Sequence, residues 1–367
     1  MKDKPRTQPK YAQLEALLRR QIAGLKVGAP LPSVREIMAR HKVSMATAVR
    51  AFSNLRQAGL VTAQHGSGMY VAARRAGRRR DGTLVGIVPP FIDNAFFVPL
   101  LKALDLEFHE RHLNPVVHAS LNSTERMERI LERFRKLGVA AVAYFPITGQ
   151  DQARFLEANR HQLQMLESAR IPAVIMDSDL PYTQAPVVRC DDLRGGAQAA
   201  EYLAERGHRS VAFLESAFTP FAEMRWQGFS AVADARGLRV RRISQAGLGH
   251  DPAAAQAAVT RLQRARPAIT AVFAVCDLWA FNLMRALNAA GVAVPQRLSV
   301  LGFDDVDFAR MCQPPLTTFA QPLAALARAA AEALQRQLRR PQQPVASTIL
   351  PARLVERNSV ALHSPAL

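Results

Sequence analysis

Apolar residues Leu14, Leu17, Leu18 and Ile22 recur at helical spacing and predict an amphipathic helix over residues 10–24, with Arg19 and Arg20 outside. Gly24 and Gly28 punctuate its end. Ser33 followed by Glu36 is a capping-box pattern that opens a second helix, roughly 34–41, with Ile37 and Met38 turned inward. Ser44 is a good N-cap for a third helix of about residues 45–58. Val49, Phe52 and Leu55 give that helix its inward stripe. Met45, Ala46, Thr47, Arg50 and Asn54 then fall near its start and on its outer face. Gly59 stands where a left-handed C-cap belongs. Two extended runs, 60–64 and 69–72, flank His65-Gly66-Ser67-Gly68 and predict a β-hairpin with a glycine-rich tip.

The period changes beyond residue 83. Short apolar runs at 84–88, 115–119, 139–145, 171–176, 210–214, 268–274 and 299–302 predict strands. Helical patterns near 97–112, 123–137, 194–206, 223–236 and 277–290 separate them. Strands alternating with helices predict an α/β unit with parallel sheets and helices on both faces. There are too many repeats for one sheet, so two Rossmann-like lobes are expected, with 299–302 as the last clear parallel strand. In such folds ligands bind beyond the carboxyl ends of the strands. Asn94, Asp177, Asp277 and Asp304 all stand where an apolar run stops. Singly, each reads as a helix cap; together on one cleft they would form a ligand site.

Charge sharpens this division. Residues 1–83 hold 17 Lys and Arg against 4 Asp and Glu, so +13 of the chain's +18 lies in less than a quarter of its length. Such a concentration is the footprint of a phosphate-backbone binder. Three helices and a hairpin there make a winged helix-turn-helix (residues 1–73), whose third helix enters the major groove by its N-terminal end. Residues 74–83, with five arginines in 73–83, read as a basic linker that either trails along DNA phosphates or serves only as a tether. The α/β unit occupies 84–360. Cys190, Cys276 and Cys312 are far apart and odd in number, which suits free thiols in a reducing compartment. No signal-peptide core and no membrane-length apolar run are present, so a cytoplasmic protein without a membrane partner is expected.

The stretch LPSVREIMARHKVSMATAVRAFSNLRQAGLVTAQHGSGMYV resembles the GntR-type winged helix over about residues 10–72. That resemblance implies DNA contacts from Arg35, from Ser44, Met45, Ala46 and Thr47, from Arg50, and from His65 and Gly66 of the wing. The family usually has Arg where Met45 stands. A bidentate guanine contact is lost there, and Met45 or Ala46 can instead touch a thymine methyl. The segments IPAVIMDSDLP, VVRCDDLRGGAQAAEYLAERGHRSVAFL, RWQGFSAVADARGL, LSVLGFDDVDFARMCQPPLTTFAQP and ILPARLVERNS resemble the effector domain of the lac-repressor family, over about residues 84–360. It implies the periplasmic-binding-protein-like fold: two lobes, three crossovers and a ligand between them. The whole chain looks like arabinose-repressor-type regulators. Ligand contacts are implied for Asn94, Phe96, Phe97, Asp177, Arg225, Cys276, Asp277 and Asp304. Carboxylates and a guanidinium suit hydroxyls, and aromatic rings suit a sugar face. Cys276 stands where Asn is usual, and the region of His250 and Asp251 lacks an aromatic that some sugar-binding members carry. His208, in Gly207-His208-Arg209, reads as structural capping.

Enzyme signatures are missing from the sequence. It has no Walker loop, no His-x-x-x-His, no Cys-x-x-Cys and no G-x-S-x-G elbow. The pairs Asp191-Asp192 and Asp304-Asp305 read as caps, because adjacent residues point apart. Residues 137–367 contain no lysine, which opposes the pyridoxal-phosphate tail that some GntR-headed proteins carry. No cofactor and no metal are expected. The reading is a DNA-binding transcriptional regulator, a repressor that acts as a homodimer on a pseudo-palindromic operator and responds to a small metabolite, with a sugar favoured. An activator, a corepressor-dependent regulator and a sugar-metabolising enzyme are the alternatives.

Overall fold

A computed structural model describes residues 10–23, 25, 28–57, 60–64, 68–71, 83–148, 151–216 and 218–363. The chain divides into two compact units, Met1–Asp81 and Gly82–Leu367. Among the described residues no helix is long and apolar enough to cross a membrane.

The first unit contains α1 (Lys10–Ala23), α2 (Val34–His41), α3 (Met45–Gln57), and the antiparallel pair β1 (Val61–Gln64) and β2 (Gly68–Val71). The capping box is present: the Glu36 amide donates to Ser33 Oγ at 3.2 Å, and the Ser33 amide donates to the Glu36 carboxylate at 2.8 Å. Lys42 turns the chain in the left-handed region, at φ 49°. The Thr47 amide then donates to Ser44 Oγ at 3.3 Å, which starts α3. Leu14, Leu18 and Ile22 of α1 pack with Ile37 and with Ala48, Ala51, Phe52 and Leu55 of α3. Two expectations are corrected here. Val49 is 47% exposed and Leu17 is 40% exposed, because α3 and α1 turn their small or adjacent residues inward instead. Asn54 is not on a free outer face: its amide donates to Glu15 of α1 at 2.8 Å. The hairpin tip, including His65 and Gly66, lies outside the described residues. So do Gly24, Gly59 and the linker residues 74–82.

The second unit opens with β3 (Thr83–Val88), α4 (Phe97–Glu110), β4 (Leu113–Val117), α5 (Thr124–Leu137), β5 (Ala141–Tyr144), α6 (Gln152–Ser168), β6 (Ala173–Met176) and β7 (Val187–Cys190). It continues through α7 (Asp192–Glu205), β8 (Ser210–Glu215), α8 (Pro220–Ala235), β9 (Arg239–Ser244), α9 (Pro252–Gln263), β10 (Ala271–Ala274), α10 (Asp277–Ala289) and β11 (Ser299–Leu301). A 3-10 turn (Asp307–Met311), β12 (Thr318–Ala320), α11 (Leu323–Arg339), β13 (Thr348–Leu350) and β14 (Arg353–Val355) complete it. Two parallel sheets result, in the orders β13-β7-β6-β5-β3-β4 and β11-β10-β8-β9. The first carries a core on each face, built around Phe108 and Leu334 on one and Phe134 and Tyr144 on the other. The second forms the other lobe's core around Phe213, Phe229 and Phe273.

The chain passes between lobes three times. It leaves the six-stranded sheet after β7, returns between β12 and α11, and leaves again between β13 and β14. β12 and β14, paired antiparallel, carry the two later passages. The expectation that 299–302 is the last parallel strand is corrected by β13, which pairs in parallel with β7. β13 is a three-residue edge strand with Ile349 47% exposed, so it carries no buried apolar run.

Candidate functional site

A cavity of about 240 Å³ lies between the two lobes. Its walls come from the segments that follow the carboxyl ends of β3, β5 and β6 in one lobe and of β8, β10 and β11 in the other. That is where a parallel α/β sheet leaves strand ends open to a ligand. Phe91, Phe96, Phe97 and Phe145 line it from the first lobe, and Phe221, Trp279 and Phe308 from the second. Phe97 meets Phe145 edge-on at 5.6 Å and Phe96 at 5.3 Å, so this aromatic wall is mutually braced. Asn94 organises the wall's approach: its side-chain oxygen accepts from the Phe96 amide at 2.8 Å.

The polar side of the cavity is built around Arg225 of α8. Helices α7 and α8 approach so closely that a Cβ on Gly196 would collide with the Arg225 carbonyl, and one on Gly228 with the Leu193 carbonyl. These two glycines permit the buried Asp192, in the first turn of α7, to reach Arg225. Nε and Nη2 of Arg225 both lie 2.8 Å from Asp192 Oδ1, and Nη1 donates to the Val275 carbonyl. The guanidinium is stacked 3.6 Å from the centre of the Phe303 ring. Burial opposes its charge, but Asp192 and Asp304 outweigh burial and hold it protonated.

Asp304 and Asp177 bring carboxylates to the cavity. Asp304 lies 3.8 Å from Arg225 and accepts from Gln321 Nε2 at 2.8 Å. Its φ is 121°, a region that non-glycine residues avoid, and its amide is pinned to the Phe319 carbonyl at 2.8 Å. Backbone strain of this kind costs about 1–3 kcal/mol and persists where surroundings over-determine it. Burial raises the Asp304 carboxyl above its ordinary range, partly offset by Arg225. Asp177 follows β6 with φ 67°, its amide donating to Val188 at 3.1 Å. Burial, reinforced by Asp192, pushes its carboxyl up to about 8. At neutral pH it is therefore largely a hydroxyl donor as well as an acceptor.

Seven of the eight expected ligand residues line this cavity: Asn94, Phe96, Phe97, Asp177, Arg225, Cys276 and Asp304. Asp277 does not, and this corrects the expectation. It is fully buried, with Oδ1 accepting from Thr318 at 2.6 Å and Oδ2 from the Val306 amide at 3.0 Å. Its neighbour Cys276 faces the cavity, and burial raises that thiol well above its ordinary range. Gln321, Asn122, Ser178 and Trp279 also line the cavity and were missed. None of them ends an apolar strand run, although Gln321 lies in a stretch of recognisable pattern. The two acidic pairs do point apart. Asp191 caps α7 while Asp192 meets Arg225. Asp304 meets the cavity while Asp305 pairs with Arg357 at 2.6 Å. His208 is not a side-chain cap: its Nδ1 lies 2.9 Å from Thr270 Oγ1, and its ring stacks on His363.

In the first unit, Arg35 of α2 and Ser44, Met45, Ala46 and Arg50 around the start of α3 are all exposed. Thr47 is half-buried, with its hydroxyl 2.9 Å from that of Ser44. The first turn of α3 has no acidic residue, so no carboxylate there opposes an approaching anion.

Comparison with known proteins agrees with both halves. Residues 10–71 match the bacterial regulatory proteins of the gntR family, and residues 200–360 match the periplasmic binding protein-like domain. The arabinose metabolism transcriptional repressor of Geobacillus stearothermophilus is 25% identical over 97% of this chain and 99% of its own length. The HTH-type transcriptional regulator DegA of Bacillus subtilis is 27% identical over 79% of this chain and 84% of its own. A LacI family transcriptional regulator from Enterococcus faecium, solved with bound ribose, superposes with a TM-score of 0.65 at 24% identity. It covers 77% of this chain and 100% of its own.

Proposed function

We propose that the chain, a gntR-type head joined to a periplasmic-binding-protein-like domain, is a transcriptional repressor whose affinity for operator DNA is set by a sugar. One observation carries the reading: an acid-free start to α3 in a +13 segment stands in the same chain as a braced aromatic and carboxylate cavity. The head supplies affinity for phosphates and a helix for the major groove. The cavity supplies a largely apolar pocket with a few convergent polar groups, as small-molecule sites do. Asp177, Asp304, Gln321 and Asn94 offer donors and acceptors to hydroxyls, while the phenylalanines offer flat faces to a ring. Arg225 is already engaged by Asp192 and the Val275 carbonyl, so its main task is to hold the carboxylates in place.

The repressor acts in the cytoplasm as a homodimer. Two heads then read half-sites about 34–36 Å apart on a pseudo-palindrome. Sugar binding favours one arrangement of the lobes and thereby one spacing of the heads, which is the differential affinity that any such coupling needs. The arabinose link of the relative and the ribose in the solved neighbour make these two sugars the first probes. The reading is of a regulator and not an enzyme, in keeping with relatives that are named as transcriptional regulators.

The test selects duplexes from a random pool with the full chain, then measures affinity for the selected site with L-arabinose or D-ribose present. The reading expects a two-fold symmetric site and a sugar-dependent change of about 5–150-fold. Failure to enrich any duplex would remove the regulator reading. An enriched site that ignores both sugars would remove these effectors.

A further inference from the structure

Helix α3 holds two apolar side chains out to solvent one turn apart, Met45 at 64% exposure and Val49 at 47%. Its opposite face is fully used, with Ala48, Ala51, Phe52 and Leu55 in the core. Among the described residues the pair stands outside the core of the head. Nor does α3 contain any Asp or Glu to accept from cytosine. Its exposed residues beside the pair are small, polar or basic: Ser44, Ala46 and Arg50. What this surface meets must accept two apolar contacts within a strongly basic unit.

In the major groove of B-DNA that apolar mark is the C5-methyl of thymine. Side chains four apart on a helix are about 5–6 Å apart at Cβ, and base pairs rise about 3.4 Å. One turn of α3 thus spans one to two base steps. We propose that Met45 and Val49 are specificity-determining residues that read thymine methyls at neighbouring steps of each half-site. The inference rests on the reading of the head as a major-groove binder, and it goes beyond that reading by naming what α3 recognises. Arg35 supplies charge around the contact, Arg50 contributes a polar contact beside it, and the apolar pair supplies the choice of thymine within it.

The experiment takes the full chain and the site that it selects from random duplexes. Each thymine of a half-site is replaced by deoxyuridine, which keeps the base pair and removes only the methyl. At one or two positions uracil should weaken wild-type binding about four-fold per methyl, the worth of one buried apolar carbon. Met45→Ala or Val49→Ala should abolish the sensitivity at one position each while keeping it at the other. Both residues are exposed and alanine suits a helix, so the variants keep the fold. Binding that ignores uracil at every position overturns the thymine readout and leaves the DNA-binding reading standing. A chain that selects no duplex overturns both. Variants that alter only the sedimentation of the full chain would reassign the pair to a protein contact and overturn the proposal.

Discussion

Arg225 places both Nε and Nη2 at 2.8 Å from a single oxygen of Asp192, and both side chains are buried. The second oxygen of Asp192 has no hydrogen-bond partner among the described residues. This pair ties the start of α7 to α8 and sets the guanidinium that faces Asp304. Removing either partner leaves an uncompensated buried charge, at a cost of about 3–5 kcal/mol. Asp192→Ala and Arg225→Ala should each lower the unfolding free energy by about that amount in a urea titration. The double variant should cost clearly less than the sum, because the two share one interaction. Strict additivity would mean that the two groups do not depend on each other. Loss of sugar response in Arg225→Ala alone is then no evidence of a direct ligand contact.

Asp177 makes the cavity sensitive to pH. Burial raises its carboxyl to about 8 in the folded chain, whereas an unfolded aspartate titrates near 3.9. A raised folded value means that the neutral form is favoured by folding. Its contribution is complete below about pH 4 and is lost as pH rises through about 8. Asp177→Asn keeps the shape and stays neutral. Without sugar, it should therefore gain stability over the wild type between about pH 5 and pH 8.5, by about 1–3 kcal/mol. Thermal unfolding at the two pH values measures the gap. A gap of constant size would show that Asp177 is ionised throughout.

Periodicity and capping chemistry made most of the frame legible. Ser33 with Glu36, and Ser44 before α3, mark helix starts by local hydrogen bonds that need no tertiary context. The strand ends that carry Asp177 and Asp304 were visible because a parallel strand is an apolar run and its polar successor faces the ligand side. What was missed depends on packing. Val49 and Ala48 are adjacent on α3, and only the fit of small residues against α1 decides which turns inward. Asp277 follows an apolar run just as Asp177 does, yet Thr318 and Val306 approach from a segment forty-odd and about thirty residues away and bury it. Asp192 reads as a cap like its neighbour Asp191, because the partner that it meets instead, Arg225, is 33 positions distant.

Asp277 and Cys276 are neighbours with opposite assignments, and that contrast is testable. Asp277→Ala strands the Val306 amide and the Thr318 hydroxyl in the interior, which should cost about 1–3 kcal/mol per group. Saturating sugar should still raise its melting temperature by as much as it raises that of the wild type, since Asp277 does not line the cavity. Cys276→Asn brings an amide to the cavity wall and should change which sugars stabilise the chain. Ligand stabilisation follows RT ln(1 + [L]/Kd), about 2.7 kcal/mol at a hundred-fold excess over Kd, so differential scanning fluorimetry resolves it. An Asp277→Ala chain that folds and loses the shift would return Asp277 to the site. An unaltered sugar profile in Cys276→Asn would place the thiol away from the ligand.

Affinity and sequence choice in the head should separate experimentally. Phosphate contacts release counterions, so the logarithm of affinity falls by about 0.9 per contact for each tenfold rise in salt. A segment with 17 Lys and Arg against 4 acids should give a steep slope, read by fluorescence anisotropy on the selected duplex. Arg50 is exposed on α3, one residue beyond Val49. Arg50→Ala should cost about 1–3 kcal/mol on the selected site and much less on random DNA. Arg35 lies in the first turn of α2, and its replacement by alanine should weaken both DNAs together and lower the salt slope by about one. Equal losses on both DNAs for Arg50→Ala would make it a phosphate contact. Sequence choice would then fall to the apolar pair and to the residues that open α3. A flat salt response in the wild type would remove the phosphate backbone from the account, and the +13 charge of the segment would need another partner.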